Sequence, residues 1–228
     1  MHIIGNTPVA EIMLSWDHPV NGPASVRAKQ LRGAIGREMI DNDLFHQHQN
    51  DSGKLIYRYP RVQYRWHRGH GLIIGWGDAS MQLLSLPWLD LKELFFRDVV
   101  VSIVDIKMNL RDAVFGVGES LHEYHLKSPV LLLNQENYQR YRFMSGSEQS
   151  KERNRLVVAN LLTAMRGLNI EFPERLFATF VGVQSRMINY KHKSLLGMSG
   201  KIITNAVLPD GFSFGHAVSH GFGWLVPE

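Results

Sequence analysis

The sequence contains no cysteine. That excludes disulfides, thiolate nucleophiles and Cys-ligated zinc, so any site must be built from histidine, tyrosine, carboxylates or basic side chains. Long apolar runs are missing as well, since no stretch approaches the ~18 apolar residues of a membrane helix. The opening MHIIGNTPVA has neither the basic start nor the extended apolar core of a secretory signal. The expected location is the cytoplasm, with no membrane partner. Acidic residues are in deficit: 25 Lys and Arg stand against 21 Asp and Glu, a formal charge of +4, with 11 histidines in addition. A polyanion partner is permitted by that balance and not demanded by it.

What is present is an ordinary globular composition, 44% hydrophobic and 20% charged, in 228 residues. That length suits two domains of about 100 residues each. Residues 9–16 (VAEIMLSW) predict a strand, HPVNGP a turn, and Pro23 the start of a helix over 24–40. Leu31, Ala34, Ile35 and Met39 recur at helical spacing as a core stripe, with Arg27, Lys29, Arg32 and Arg37 on the other faces. Gly33 and Gly36 each cost about 1 kcal/mol against alanine inside a helix, which points to close packing against a sheet or a ligand backbone. Strands follow at 61–67 and 72–76, joined by RGHG. Alternation turns Val62, Tyr64 and Trp66 inward and gives Arg61, Gln63, Arg65 and His67 a basic face. Asp78 is a candidate cap for ASMQLLSLPW, and 92–96 reads as the closing strand. The resulting β-α-β-β-α-β order is ferredoxin-like.

The second half is less regular. Residues 99–108, 122–126 and 130–133 read as strands, and 135–143 as a short helix. The clearest helix runs from a cap at Ser147 to about Arg166, with Val157, Leu161, Ala164, Met165 and Leu168 on one face and Gly167 as its stop. Strands at 175–189 and 201–208 lead into a glycine-rich tail. The pattern suggests a degraded second copy of the first unit. The expected class is α+β, with domains over 1–97 and 98–228.

Residues 45–66, FHQHQNDSGKLIYRYPRVQYRW, place two histidines one residue apart before a strand crowded with arginine and tyrosine. His46-x-His48 is compatible with a metal site, with solvated loop histidines, or with an acid/base pair. Lys54, Arg58, Arg61, Arg65 and Arg68, interleaved with Tyr57, Tyr59, Tyr64 and Trp66, have the composition of a single-stranded nucleic-acid platform, or of a solvated face over an aromatic core. The tail, GFSFGHAVSHGFGWL over 211–225, has glycines that permit close backbone approach to a phosphate or simply serve turns, and it lacks the Lys-Ser/Thr ending of a Walker A loop. His122 and His125 fall on opposite faces of a strand, which suggests structural roles.

Taken together, QLRGAIGREM, FHQH, YRYPRVQYR and the terminal GHAVSHGFG resemble the CRISPR-associated repeat-processing endoribonucleases of the Cas-six family, in its b-type subtype within the RAMP superfamily. The resemblance implies two tandem ferredoxin-like domains gripping CRISPR repeat RNA, as a single strand or small hairpin, and metal-independent cleavage directed by histidine. It carries the catalytic histidines onto His46 and His48 and a supporting tyrosine onto Tyr57; on chemical grounds, apart from the resemblance, Lys54 is the candidate stabiliser of charge on the pentavalent phosphorus. RNA contacts fall on Arg58, Arg61, Arg65, Gly211, Gly215, His216, Ser219, His220, Gly221 and Gly223. No cofactor and no metal are implied. Other CRISPR effector subunits and a second copy of the chain are further candidate partners. The chain departs from the pattern at one place: the family's glycine loop commonly holds a lysine or arginine, whereas this one offers His216 and His220. The alternative reading is a non-catalytic RNA-holding subunit; a metal enzyme using His-x-His is a third.

Overall fold

Alternation along β1 (His2–Trp16) buries Ala10, Ile12, Leu14 and Trp16 on one side, the period expected of a strand with one face on a core. In this computed structural model the described residues are 1–39, 59–191 and 193–228. They divide into two compact units, one made of Thr7–Asp112 with Ser219–Gly221, the other of Met1–Asn6, Ala113–Val218 and Phe222–Glu228.

In the first unit β1 is followed by α1 (Ala24–Glu38), which begins directly after Pro23, whose carbonyl accepts from Val26 and Arg27. Its stripe of Leu31, Ala34 and Ile35 is buried as the spacing predicts, with Met39 partly buried against the same core. β2 (Val62–His67) and β3 (His70–Trp76) form an antiparallel hairpin in which His67 faces His70. The turn residues Arg68 and Gly69 have φ of 51° and 85°, the paired left-handed geometry that matches strand twist in tight hairpins. α2 (Asp78–Leu84) takes Gly77 as its cap residue, and Asp78 lies inside the first turn.

The closing strand differs from the sequence expectation. Residues 93–95 form only a short β4 (Glu93–Phe95), paired with β5 (Val100–Leu126), and β5 itself completes the strand order β2-β3-β1-β5. Leu94 and Phe96 are buried in the core beside Val101, so the apolar signal at 92–96 was real but belonged to a turn back onto a longer strand. Trp16 and Trp66 stack at 5.6 Å with Phe96 edge-on to both, an arrangement favoured by ring quadrupoles.

The second unit is built on β5, β6 (Val130–Leu131), β7 (Ala178–Tyr190), β8 (Lys193–Val207) and β9 (Leu225–Pro227). β8 pairs antiparallel with β5, β6 and β7, and β9 pairs with β5. α3 (Gln135–Tyr141) precedes α4 (Gly146–Gly167), whose predicted stripe Val157, Leu161, Ala164 and Met165, with Leu168 just beyond, is buried. The cap of α4 is Ser145 and not Ser147: Ser145 and Glu148 form a reciprocal capping box, which requires the Ser-x-x-Glu spacing. The left-handed residue ending the helix is Asn169, at φ 62°, while Gly167 remains helical. The architecture is mixed α/β with ferredoxin-like units, and no described helix is long and apolar enough to cross a membrane.

Candidate functional site

The segment carrying His46, His48, Lys54, Tyr57 and Arg58 lies outside the described residues. The chain on either side is described: α1 leads into it and β2 leads out of it.

The strand after it is less open than alternation suggested. Gln63 is fully buried and Arg65 is 2% exposed, so both faces of β2 are covered and Arg65 is enclosed, not displayed. Arg65 Nη2 donates to Gln63 Oε1 at 3.3 Å, and Gln63 Nε2 donates to the Tyr59 hydroxyl at 2.9 Å and to the Pro60 carbonyl at 3.1 Å. This is a buried polar network beneath the strand, and such networks are stable only when their members are satisfied. Arg61 is partly exposed and pairs with Asp78 at 2.8 Å. Tyr64 is buried on the other face, and burial lifts its hydroxyl well above the ordinary tyrosine range despite the charge of nearby Arg32. It stays a neutral phenol.

The tail divides between the units. In the second unit, Gly211, Gly215 and Gly223 have φ of 79°, 92° and 69°. A Cβ on Gly215 would lie 2.7 Å from Val130 Cγ2 and 2.9 Å from the Leu131 carbonyl oxygen, so this glycine is required by close packing on β6. Tail amides are largely committed to protein carbonyls: Gly211 to Leu225 at 3.3 Å, Phe214 to Gly223 at 3.1 Å, His216 to Leu131 at 2.9 Å and Gly223 to Pro129 at 3.0 Å. The His216 side chain is exposed.

Ser219, His220 and Gly221 instead join the first unit. Gly221, at φ 84°, lies so close to β2 and α1 that a Cβ there would sit 3.0 Å from the Tyr64 carbonyl oxygen and 3.1 Å from Ala28 Cβ. Ser219 and His220 are 9% and 5% exposed. Ser219 Oγ is 3.1 Å from His220 Nδ1, and His220 Nε2 is 3.0 Å from Arg32 Nη1. Arg32 follows Ala28 by four residues on α1, one turn along the same line, which is why consecutive tail residues meet both. The structure thus brings Ser219, His220 and Gly221 to the helix that leads into the histidine segment, together with Arg32, which helical spacing places, with Arg27, Lys29 and Arg37, on the faces away from the core stripe of α1. Arg27, read the same way, is buried and holds Asp98 through Nη1 at 2.7 Å and Nη2 at 3.0 Å.

Among the described residues, Glu123, His125 and Glu228 bring ligand atoms within 4.8 Å of one another. Lys201 already lies there, bonded to Glu123 and, at 3.0 Å, to Glu228, while His125 Nε2 lies 3.1 Å from Glu228. Hydrogen bonds from Lys201 first, and from His125, help push the Glu228 carboxyl down to about 2. The ammonium supplies the positive charge that such a cluster requires, and the donor set fits an ion-pair ladder. His122 lies against Gly118, at the irregularity between Val117 and His122 where β5 slips its register on β8.

Against known proteins, a family model described as the Cas6b N-terminal domain matches residues 10–113, and one described as the Cas6b C-terminal domain matches residues 116–227. The chain belongs to the Cas6b family. Among solved structures, a Cas6b crystal structure is similar over 98% of this chain and 100% of that one, with a TM-score of 0.86 and 22% identity. A CRISPR RNA processing endoribonuclease Cas6b is similar over 97% of this chain and 100% of that one, with a TM-score of 0.71 and 20% identity. An uncharacterised protein of Methanocaldococcus jannaschii is 26% identical over 138 residues, which is 60% of this chain and 94% of that protein. The structural likenesses support the arrangement of two ferredoxin-like domains.

Proposed function

We propose that this Cas6b-family chain is a metal-independent endoribonuclease that cuts CRISPR repeat RNA into guide RNA. The observation that carries this reading is the match of both Cas6b domain models, which together span residues 10–113 and 116–227. One similar structure is named as a CRISPR RNA processing endoribonuclease.

Cleavage without a metal requires the ribose 2′-hydroxyl to lose its proton, its oxygen to attack phosphorus in line, and the departing 5′-oxygen to gain a proton. His46 and His48 suit these roles as a pair, because imidazoles with ordinary pKa values near 6.5 supply one neutral and one charged ring at the same pH. One histidine takes the 2′-hydroxyl proton and the other delivers a proton to the leaving oxygen. Tyr57 orients the phosphate, and Lys54 offsets the charge that builds on the phosphorane oxygens. The products are a 2′,3′-cyclic phosphate and a 5′-hydroxyl.

The deciding experiment incubates the host's CRISPR repeat RNA with the protein in excess EDTA and reads the product ends. Wild type should leave a cyclic phosphate, and His46→Ala or His48→Ala should each slow cleavage by about 10²- to 10⁴-fold with RNA binding nearly intact. Cleavage at the wild-type rate by both variants would sink the histidine mechanism. Tight binding without cutting by any of the proteins would make the chain an RNA-holding subunit.

A further inference from the structure

The tail contains no lysine or arginine, yet it is seated against one. A guanidinium has only donors, so at the 3.0 Å contact between Arg32 Nη1 and His220 Nε2 the imidazole nitrogen must accept. The ring proton then sits on Nδ1 and is donated to Ser219 Oγ, 3.1 Å away. This tautomer is neutral. At 5% exposure, His220 is not a cation displayed to a polyanion; its ring is committed to holding an arginine.

Arg32 also differs from other arginines of the molecule. Arg27, Arg61, Arg111, Arg140 and Arg155 each sit on a carboxylate, which cancels much of the charge they would offer a ligand. Arg32 is half-buried and has no carboxylate partner among the described residues. An imidazole acceptor orients the guanidinium without neutralising it. The N–H groups left over form the planar fork that matches a phosphate, and a held fork loses less freedom on binding than a mobile lysine. Its helix runs directly into the segment that carries His46 and His48.

We propose that Arg32, aimed by neutral His220, supplies the cation missing from the tail and takes one backbone phosphate of the bound RNA. The proposal rests on the RNA-cutting reading. Arg32 is the binding group, and His220 is a positioning residue that acts through it.

The test measures equilibrium binding of fluorescein-labelled host repeat RNA across a salt series, in the His46→Ala/His48→Ala background so that the RNA is not consumed. Arg32→Gln should weaken binding about tenfold or more, as expected for a charged hydrogen bond. It should also reduce the slope of log affinity against log salt by about 0.7, the contribution of one single-strand phosphate. His220→Phe should weaken binding in the same direction. His220→Gln, whose amide oxygen reaches the position of Nε2, should restore most of the loss, which a merely structural role for the ring would not allow. The Arg32→Gln/His220→Phe pair should bind no more weakly than Arg32→Gln alone. Melting temperatures confirm that each variant is folded, and Arg32→Lys, which keeps the charge without the fork, should fall between wild type and Arg32→Gln.

An unchanged affinity and salt slope in Arg32→Gln overturns the proposal, as does full additivity in the double variant. If the parent protein does not bind repeat RNA at all, the RNA-cutting reading fails first. A salt-dependent parent unmoved by Arg32→Gln removes only the Arg32 assignment.

Discussion

A methyl group would be felt in opposite senses at Gly221 and Gly36. At Gly221 it would meet the Tyr64 carbonyl and Ala28 at a φ of 84°, so Gly221→Ala should destabilise the protein by about 1–2 kcal/mol. At Gly36 nothing among the described residues lies within 4 Å of an added Cβ, and Gly36→Ala should stabilise by up to about 1 kcal/mol through helix propensity. Urea denaturation of both variants checks the signs. Helix propensity points to close packing at Gly33 and Gly36, yet a Cβ on Gly33 would meet only Arg37 Nη1 at 3.8 Å; close approaches to α1 come instead at Gly71, against Leu31, and at Gly221, one glycine in a run of glycines with no distinguishing signal. Arg27 lies off the core stripe of α1 and is nonetheless buried, and spacing alone does not reveal this because its partner Asp98 lies 71 positions away. The Arg27 hydrogen bond holds the Asp98 carboxyl below its ordinary 3.8. A depressed carboxyl pKa contributes stability above the ordinary value that is lost as pH falls through the lowered one. The melting temperature of Asp98→Asn should therefore fall less steeply than that of wild type below about pH 4.

At the scale of elements, sequence periodicity located most of the units and was weakest at their ends. α4 is legible because its apolar stripe is long, but the sequence puts its cap two residues late: Ser147 precedes an equally helical run, and only the reciprocal bonds between Ser145 and Glu148 single out the true cap. Ser145→Ala should cost about 1 kcal/mol, and Ser147→Ala less than about 0.5 kcal/mol, as read from thermal or urea unfolding. β5 was read as separate strands for a physical reason. Between Val117 and His122 its register on β8 shifts, and the Gly-Glu-Ser-Leu sequence there interrupts the alternation by which a strand is recognised. The basic face of β2 failed differently. Alternation separates its sides correctly, but the side bearing Gln63 and Arg65 is buried as well, and burial is a tertiary property that alternation alone does not carry.

Across the whole molecule, the fold class and the family were legible from scattered motifs, while the contact between the tail and α1 was not, since His220 and Arg32 are 188 residues apart. That contact makes the tail part of the first unit's structure. A chain ending at Asp210 should leave β2, the outermost strand of its sheet path, without Gly221 against Tyr64, and size-exclusion chromatography should show it shifting toward aggregates, as bare outer strands tend to. The same feature imposes an order in time. The ribosome releases Thr7–Asp112 long before Ser219–Gly221, so the first unit is completed only once that distant segment has emerged. A truncated product of translation would lack the His220 contact to Arg32 and, on the proposal above, would hold RNA more weakly.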